Sequence, residues 1–223
     1  MRRRGSRLMK IDALVANYRF NEISGTTLID YSGNNLNGIN NGALINQTGK
    51  IDKSYLFRGS PENIVIADNP KTQFGTGDFT FCGWINLDVA TYGEDASGTI
   101  ASKNYITGFE LTVYQGKLLA YLGGSGIDYQ LQGTTNFNIS QWYFVLLERK
   151  NNIASIEVNR VVTASKTIIS NISGLGTEMQ LGSRPAGGSS KYLKGKLDAV
   201  FLHNYALTEV EKDTIYNDGI GIE

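Results

Sequence analysis

The side chains able to do chemistry in this 223-residue sequence are few in kind. One His and one Cys argue against Ser-His-Asp hydrolysis, a Cys/His zinc site or an internal disulfide. Cys82, inside an apolar run, reads as a buried thiol, and His203 as a packing residue at the end of a strand. What remains is the carboxylate. A pair of carboxylates cleaves glycosidic bonds with retention when acid and nucleophile stand about 5 Å apart on one side of a strand. No segment that reads as a strand carries acids two or four positions apart. Glu110 and Asp128 each stand alone, and Glu209 and Glu211 sit where a helix begins, so capping and the helix dipole account for them. The sequence therefore predicts a chain that is not an enzyme. Its rival is a polysaccharide hydrolase or lyase working through a cross-strand pair such as Glu110 with Asp128.

The elements that hold these residues are strands. The 26 Gly against 3 Pro, with 9 Phe, 12 Tyr and 2 Trp, describe aromatic-rich strands joined by tight turns. Residues 14–20, 55–57 and 64–66 read as short strands. Residues 78–87 alternate with bulk on both faces, so both faces are at least half covered. Phe109, Leu111 and Val113 alternate with Glu110, Thr112 and Tyr114, and Gln115-Gly116 turns the chain back. Leu118, Ala120 and Leu122 then face inward. A further strand, Ile127 to Leu131, sets Asp128 and Gln130 on the other face, one side being core and the other water. Residues 142–147, 153–158, 179–182 and 197–203 complete the set, with a hairpin at Asn159-Arg160. Residues 30–42, rich in Asn, Gly, Ser and Asp, predict an ordered loop or cation site and no strand. Thr208 with Glu211 forms a capping box for one short helix, with Val210, Ile215 and Tyr216 as its apolar contacts. The fold class that follows is all-β: a two-sheet antiparallel jelly-roll sandwich with one short C-terminal helix.

Three segments in order also resemble the concanavalin A-like, laminin G-like jelly-roll family: LVANYRFNEISGTTLIDYSGNNLNG from Leu14, GDFTFCGWI from Gly77, and LKGKLDAVFLHNYAL from Leu193. The likeness spans nearly the whole chain. It implies a domain over residues 11–223 behind a basic arm, residues 1–10. One departure concerns Asn159-Arg160, where the family usually has Asn-Gly, since a non-glycine residue in the left-handed region costs on the order of 1 kcal/mol. The resemblance further implies a structural Ca²⁺ near the loop that starts at Asp30, with Glu22, Asp30, Asn34 and Asp198 as ligands. The same loop also reads as side chains capping turns, which need no ion.

For a ligand, the exposed face of the second sheet offers Glu110, Thr112, Tyr114, Tyr121, Asp128 and Gln130. Sugars stack on aromatic rings and hydrogen-bond to acids and amides. Tyrosines there equally serve cross-strand packing. Trp84 and Trp142 read as core. The arm holds Arg2, Arg3, Arg4, Arg7 and Lys10 with no acid, while the remainder carries more acids than bases. Leu8 to Asp12 cannot make the roughly 7 to 15 residue apolar stretch of a secretion signal, and no membrane span is predicted. A lone jelly roll with such an arm is expected to be a lectin-like binding or assembly module. Its expected place is the virion surface of a bacterial virus, for decoration or host-glycan adhesion, with the arm docked on capsid or tail proteins. A secreted carbohydrate-binding adhesin fragment at the cell surface is the alternative. Its partners are a glycan or protein surface, or a second copy of the chain.

Overall fold

The computed structural model describes residues 13–89, 98–124, 126–185 and 191–223. The arm residues Arg2, Arg3, Arg4, Arg7 and Lys10 lie outside the described residues. Two antiparallel sheets, each of eight strands, face one another. The first contains β1 (Leu14–Tyr18), β4 (Leu44–Thr48), β5 (Lys53–Arg58), β7 (Phe79–Leu87), β12 (Trp142–Lys150), β13 (Ile153–Val158), β14 (Val161–Thr167) and β16 (Lys194–His203). Its order is β14-β13-β12-β7-β16-β5-β4, with β1 beside β16. The second contains β2 (Thr27–Leu28), β3 (Gly38–Asn41), β6 (Asn63–Ile66), β8 (Gly98–Lys103), β9 (Phe109–Tyr114), β10 (Lys117–Leu122), β11 (Gln130–Gln132) and β15 (Met179–Leu181), in the order β11-β10-β9-β8-β15-β6-β3-β2. The jelly-roll sandwich is therefore the observed fold. No helix among the described residues is long and apolar enough to cross a membrane.

Alternation along each strand sends one set of side chains between the sheets. Phe79 of β7 and Phe109 of β9 meet there with ring centroids 5.5 Å apart, and Phe74 stacks on Phe79 at 4.9 Å. A second apolar cluster covers the outer face of the first sheet, where Cys82, Trp84, Phe144 and Phe201 lie under Leu207 and Ile215. The two-faced coverage of β7 thus has a cause, the helix α1 (Glu209–Tyr216). Thr208 and Glu211 form the capping box, and Tyr216 stacks on Trp84 at 5.7 Å. Val210 is a correction. It is 71% exposed, and Leu207 takes the place against the sheet that Val210 was assigned.

Other corrections come from sheet pairing. The Asn-rich loop does contain a strand, β3, hydrogen-bonded to β6 and β2. Gly38 makes this possible, because a Cβ there would stand 2.5 Å from Ile64 Cγ2. Tertiary pairing overrides the poor strand propensity of GINN. Strands β2, β4 and β8 were not read from the sequence. Ile127–Tyr129 is a 3₁₀ turn and only Gln130–Gln132 joins the sheet, so Asp128 is not on a strand. The Asn159-Arg160 hairpin keeps two positive φ angles, 48° and 67°, with no glycine. Arg160 is held in place by Glu157, Glu209 and Asp213.

Candidate functional site

Strand register builds the site. Gln130, Tyr121, Glu110, Ser102 and Gln180 stand opposite one another across β11, β10, β9, β8 and β15. The next row holds Gln132, Leu119, Thr112 and Thr99. Both rows point away from the core residues Leu111, Val113, Leu118 and Ala120 and so form the outer face of the second sheet.

That face is not open to water at its centre. Glu110 is 0% exposed and Thr112 1%, which corrects the expectation of a solvated face. Arg184, 74 residues further along the chain, supplies the cover. Its Nε and Nη2 donate to the two Glu110 oxygens at 2.5 and 2.6 Å, a bidentate fork. Tyr105 lies over the guanidinium, 4.0 Å from ring centroid to Cζ, and meets Tyr121 edge-on at 5.8 Å. Tyr121, Tyr114 and Gln130 are half-buried around this centre. Burial first, and the Glu110 carboxylate second, push the Tyr121 phenol up.

Thr99, Ser102 and Thr112 sit beside Glu110 on the same face, each at most 1% exposed. Among the described residues their three hydroxyls have no hydrogen-bond partner. A buried hydroxyl without a partner costs free energy, on the order of 1–3 kcal/mol each. Sequence reasoning found Glu110, Thr112, Tyr121 and Gln130 by alternation. It missed Arg184 and Tyr105, which lie in connections where no periodicity marks a face, and Thr99 and Ser102, which lie on the unread strand β8.

Asp128 is brought elsewhere. It is exposed and lines a cavity of about 630 Å³ at the end of the sandwich, with Ile106, Thr107, Tyr129, Lys166 and Asn171. Glu110 and Asp128 therefore do not form a carboxylate pair. Register places Ser102 and Tyr121, not an acid, opposite Glu110, and Arg184 occupies both of its oxygens.

Of the four residues assigned to calcium, Asp30 and Asn34 share one turn bridged by Ser32 Oγ, while Glu22 and Asp198 bond to other segments. Asp30 Oδ1 accepts from the backbone N–H of Asn17 and Ser32, and Oδ2 from Ser32 Oγ and the Leu36 N–H. Asn34 donates to the carbonyls of Leu14 and Val15, and its Oδ1 takes the Lys71 ammonium. Glu22 accepts from the Ile29 N–H and the Tyr55 hydroxyl. Asp198 Oδ2 accepts from the N–H groups of Lys50 and Ile51. Ca²⁺ takes six to eight oxygens in one shell. The side-chain oxygens of Glu22, Asp30 and Asn34 and Oδ2 of Asp198 are already engaged in these hydrogen bonds, and no group of three or more His, Cys, Asp or Glu among the described residues could hold a metal ion. The set does not fit the ion.

Known structures repeat this sandwich. The binding domain of Paraclostridial Mosquitocidal Protein 1 superposes with a TM-score of 0.74 at 18% identity, over 94% of this chain and 53% of that one. A structure of botulinum neurotoxin type C, whose cell entry depends on two ganglioside molecules, gives 0.69 at 13% identity, over 95% and 52%. A Trypanosoma rangeli sialidase in complex with 2,3-difluorosialic acid gives 0.67 at 15% identity, over 95% and 34%. This chain spans about half the length of the first two. Identities this low speak for the fold alone. No curated protein sequence matches. The family model of the concanavalin A-like lectin/glucanases superfamily, in its laminin G-like form, matches residues 59–211, most of the chain, and the chain belongs to that superfamily.

Proposed function

We propose that this domain is a non-catalytic carbohydrate-binding module that takes a neutral sugar on the outer face of its second sheet. The observation that carries the reading is the set of three buried hydroxyls, Thr99, Ser102 and Thr112, that have no partner among the described residues beside the Glu110–Arg184 fork. A saccharide supplies what this centre lacks, groups that both donate and accept hydrogen bonds. The half-buried rings of Tyr105 and Tyr121 offer apolar faces for stacking. Entry requires Arg184 and Tyr105, which among the described residues lie over the centre, to swing aside.

Charge selects the class of sugar. Arg184 is already matched by Glu110, and a carboxylate-bearing sugar would meet the Glu110 carboxylate at the same place. Two of the neighbours named above are described with gangliosides or a sialic acid derivative. The matched charge here favours hexoses without an acid group. Replacing Thr99 by Val, Ser102 by Ala and Thr112 by Val removes the hydroxyls with little change of shape. On a panel pairing neutral hexose glycans with uronic and sialic acid glycans, the wild type should retain the neutral members and the triple variant should lose them while staying folded. Retention of acidic glycans alone, or unchanged binding by the variant, overturns the reading.

As its setting we propose the surface of a bacterial virus particle, with residues 1–10 as the docking segment. Support comes from the five basic residues of that segment set against the acid surplus of the remainder. Deleting residues 1–10 should abolish particle attachment and leave sugar binding intact, and attachment that survives the deletion overturns this assignment.

A further inference from the structure

The cavity of about 630 Å³ at the end of the sandwich lies within the 300–1,000 Å³ range of small-molecule sites. Two segments border both it and the sheet face. Tyr105 covers Arg184 on the face, while the next residues, Ile106 and Thr107, line the cavity. Gln130 stands in register with Tyr121 on the face, while the preceding Asp128 and Tyr129 line the cavity.

The walls are built before any ligand arrives. Arg149, fully buried, donates from Nη1 to the Ser170 carbonyl at 2.7 Å, and Ser170 Oγ donates to the Leu122 carbonyl at 2.6 Å. Lys166 Nζ donates to the Ile127 carbonyl at 2.5 Å, fixing the turn that carries Asp128 and Tyr129. The Tyr129 ring lies against the backbone of Gly124, where a Cβ would stand 2.1 Å from ring atom Cγ. The ring is therefore seated from behind, and it is 41% exposed. Around it, the carboxylate of Asp128 and the hydroxyls of Thr167 and Ser173 have no hydrogen-bond partner among the described residues, and Asn171 Oδ1 takes only the Ser173 N–H. An aromatic platform ringed by free polar groups is the arrangement that holds a pyranose.

Resting on the sugar site proposed above, we infer that face and cavity are one continuous binding path and that the ligand is an oligosaccharide chain. One end occupies the Glu110–Arg184 centre and the chain passes the Tyr105 and Gln130 border into the cavity over Tyr129. Binding then depends on chain length.

The test is calorimetry of the full chain against cello-, malto- and manno-oligosaccharides from mono- to hexasaccharide. In the series that binds, affinity should rise about tenfold from disaccharide to tetrasaccharide, the worth of one good stacking contact. Tyr129→Ala and, separately, Asn171→Ala should remove that rise and leave disaccharide affinity unchanged. Thr112→Val should lower short and long ligands alike. Affinity that is flat with length, or a Tyr129→Ala protein that loses short and long ligands equally, overturns the inference while leaving the sugar site standing. Absence of binding by the wild type to every series overturns the sugar site, and the inference with it.

Discussion

The two outer faces of the sandwich both bury charge, and they do so differently. On the first sheet, Lys212 of α1 descends between Glu148 of β12 and Glu157 of β13, with Nζ–O distances of 3.1 and 2.5 Å, and reaches Glu209 at 3.3 Å. Burial acts to lower the Lys212 pKa, and the Glu157 and Glu148 carboxylates outweigh it and raise it. The charged groups of that network all find partners within the chain, and a whole helix roofs them. On the second sheet Tyr105 lies over the Glu110–Arg184 fork, and the hydroxyls beside it have no partner among the described residues. A closed network under a helix is architecture. A buried polar set left open among the described residues is what the proposed sugar site rests on.

The first sheet also has orphaned atoms. Asn17 Oδ1, Trp84 Nε1, Asp198 Oδ1 and both His203 nitrogens lack partners among the described residues. Two of these groups, Asp198 and His203, can shed their charge. Burial raises Asp198 to about 7 and lowers His203 to about 4. A threonine or serine hydroxyl has no such escape and can be satisfied only by a partner.

The largest predicted effect tests the closed network. Lys212→Met would leave Glu148 buried without its cation and Glu157 with Arg160 alone, at a cost of about 3–5 kcal/mol. Urea denaturation should show it as a lower midpoint with an unchanged slope. The Thr99→Val, Ser102→Ala, Thr112→Val protein should do the reverse, with stability unchanged or higher by about 1 kcal/mol, since replacing an unpaired buried hydroxyl by an apolar group of like shape removes a penalty. If the triple variant is destabilised as much as Lys212→Met, the two faces are alike and the contrast fails.

How much of this could be read from the sequence depends on the range of the cause. Phe109 to Tyr114 shows its two faces by alternation alone, and Thr208 with Glu211 marks the helix start within four residues, so the sandwich and its cap were legible. The Asn-rich strand β3 was not, because its reason is Ile64 packing on Gly38 across the sheet. Nor was the cover on the outer face of the second sheet. Arg184 reaches Glu110 from 74 residues away, and nothing in the local pattern of either residue announces the other. Exposure of a strand face is a property of what crosses it, which periodicity does not encode.

The pH dependence of stability should separate the titratable orphans. Asp198 has a folded pKa of about 7, above its ordinary 3.8, so between those values the folded chain holds a proton that the unfolded chain has lost, and its contribution falls as pH rises. His203 has a folded pKa of about 4, below its ordinary 6.5. There the unfolded chain holds the extra proton, so its contribution rises with pH across that window. The two oppose one another between about pH 4 and 6.5. Asp198→Asn should unmask His203, and stability measured by denaturation should climb steadily from pH 4 to 6.5. A profile unchanged by Asp198→Asn would mean that this face does not relieve its burial by neutralising the acid.

The smallest effect concerns the hairpin that borders the closed network. Asn151-Asn152 and Asn159-Arg160 both carry two positive φ angles without glycine, the geometry of type I′ turns, in which glycine at the second position relieves strain. Asn152→Gly, in an exposed turn, should stabilise by about 0.5–1 kcal/mol. Arg160→Gly relieves the same strain but removes the guanidinium from Glu157, which is 2% exposed, and from Glu209 and Asp213. Its sign should therefore be opposite, with loss of a buried carboxylate's partner exceeding the backbone gain. Thermal unfolding of the two variants decides the matter. If Arg160→Gly stabilises as Asn152→Gly does, Lys212 alone closes the network and Arg160 contributes nothing to it.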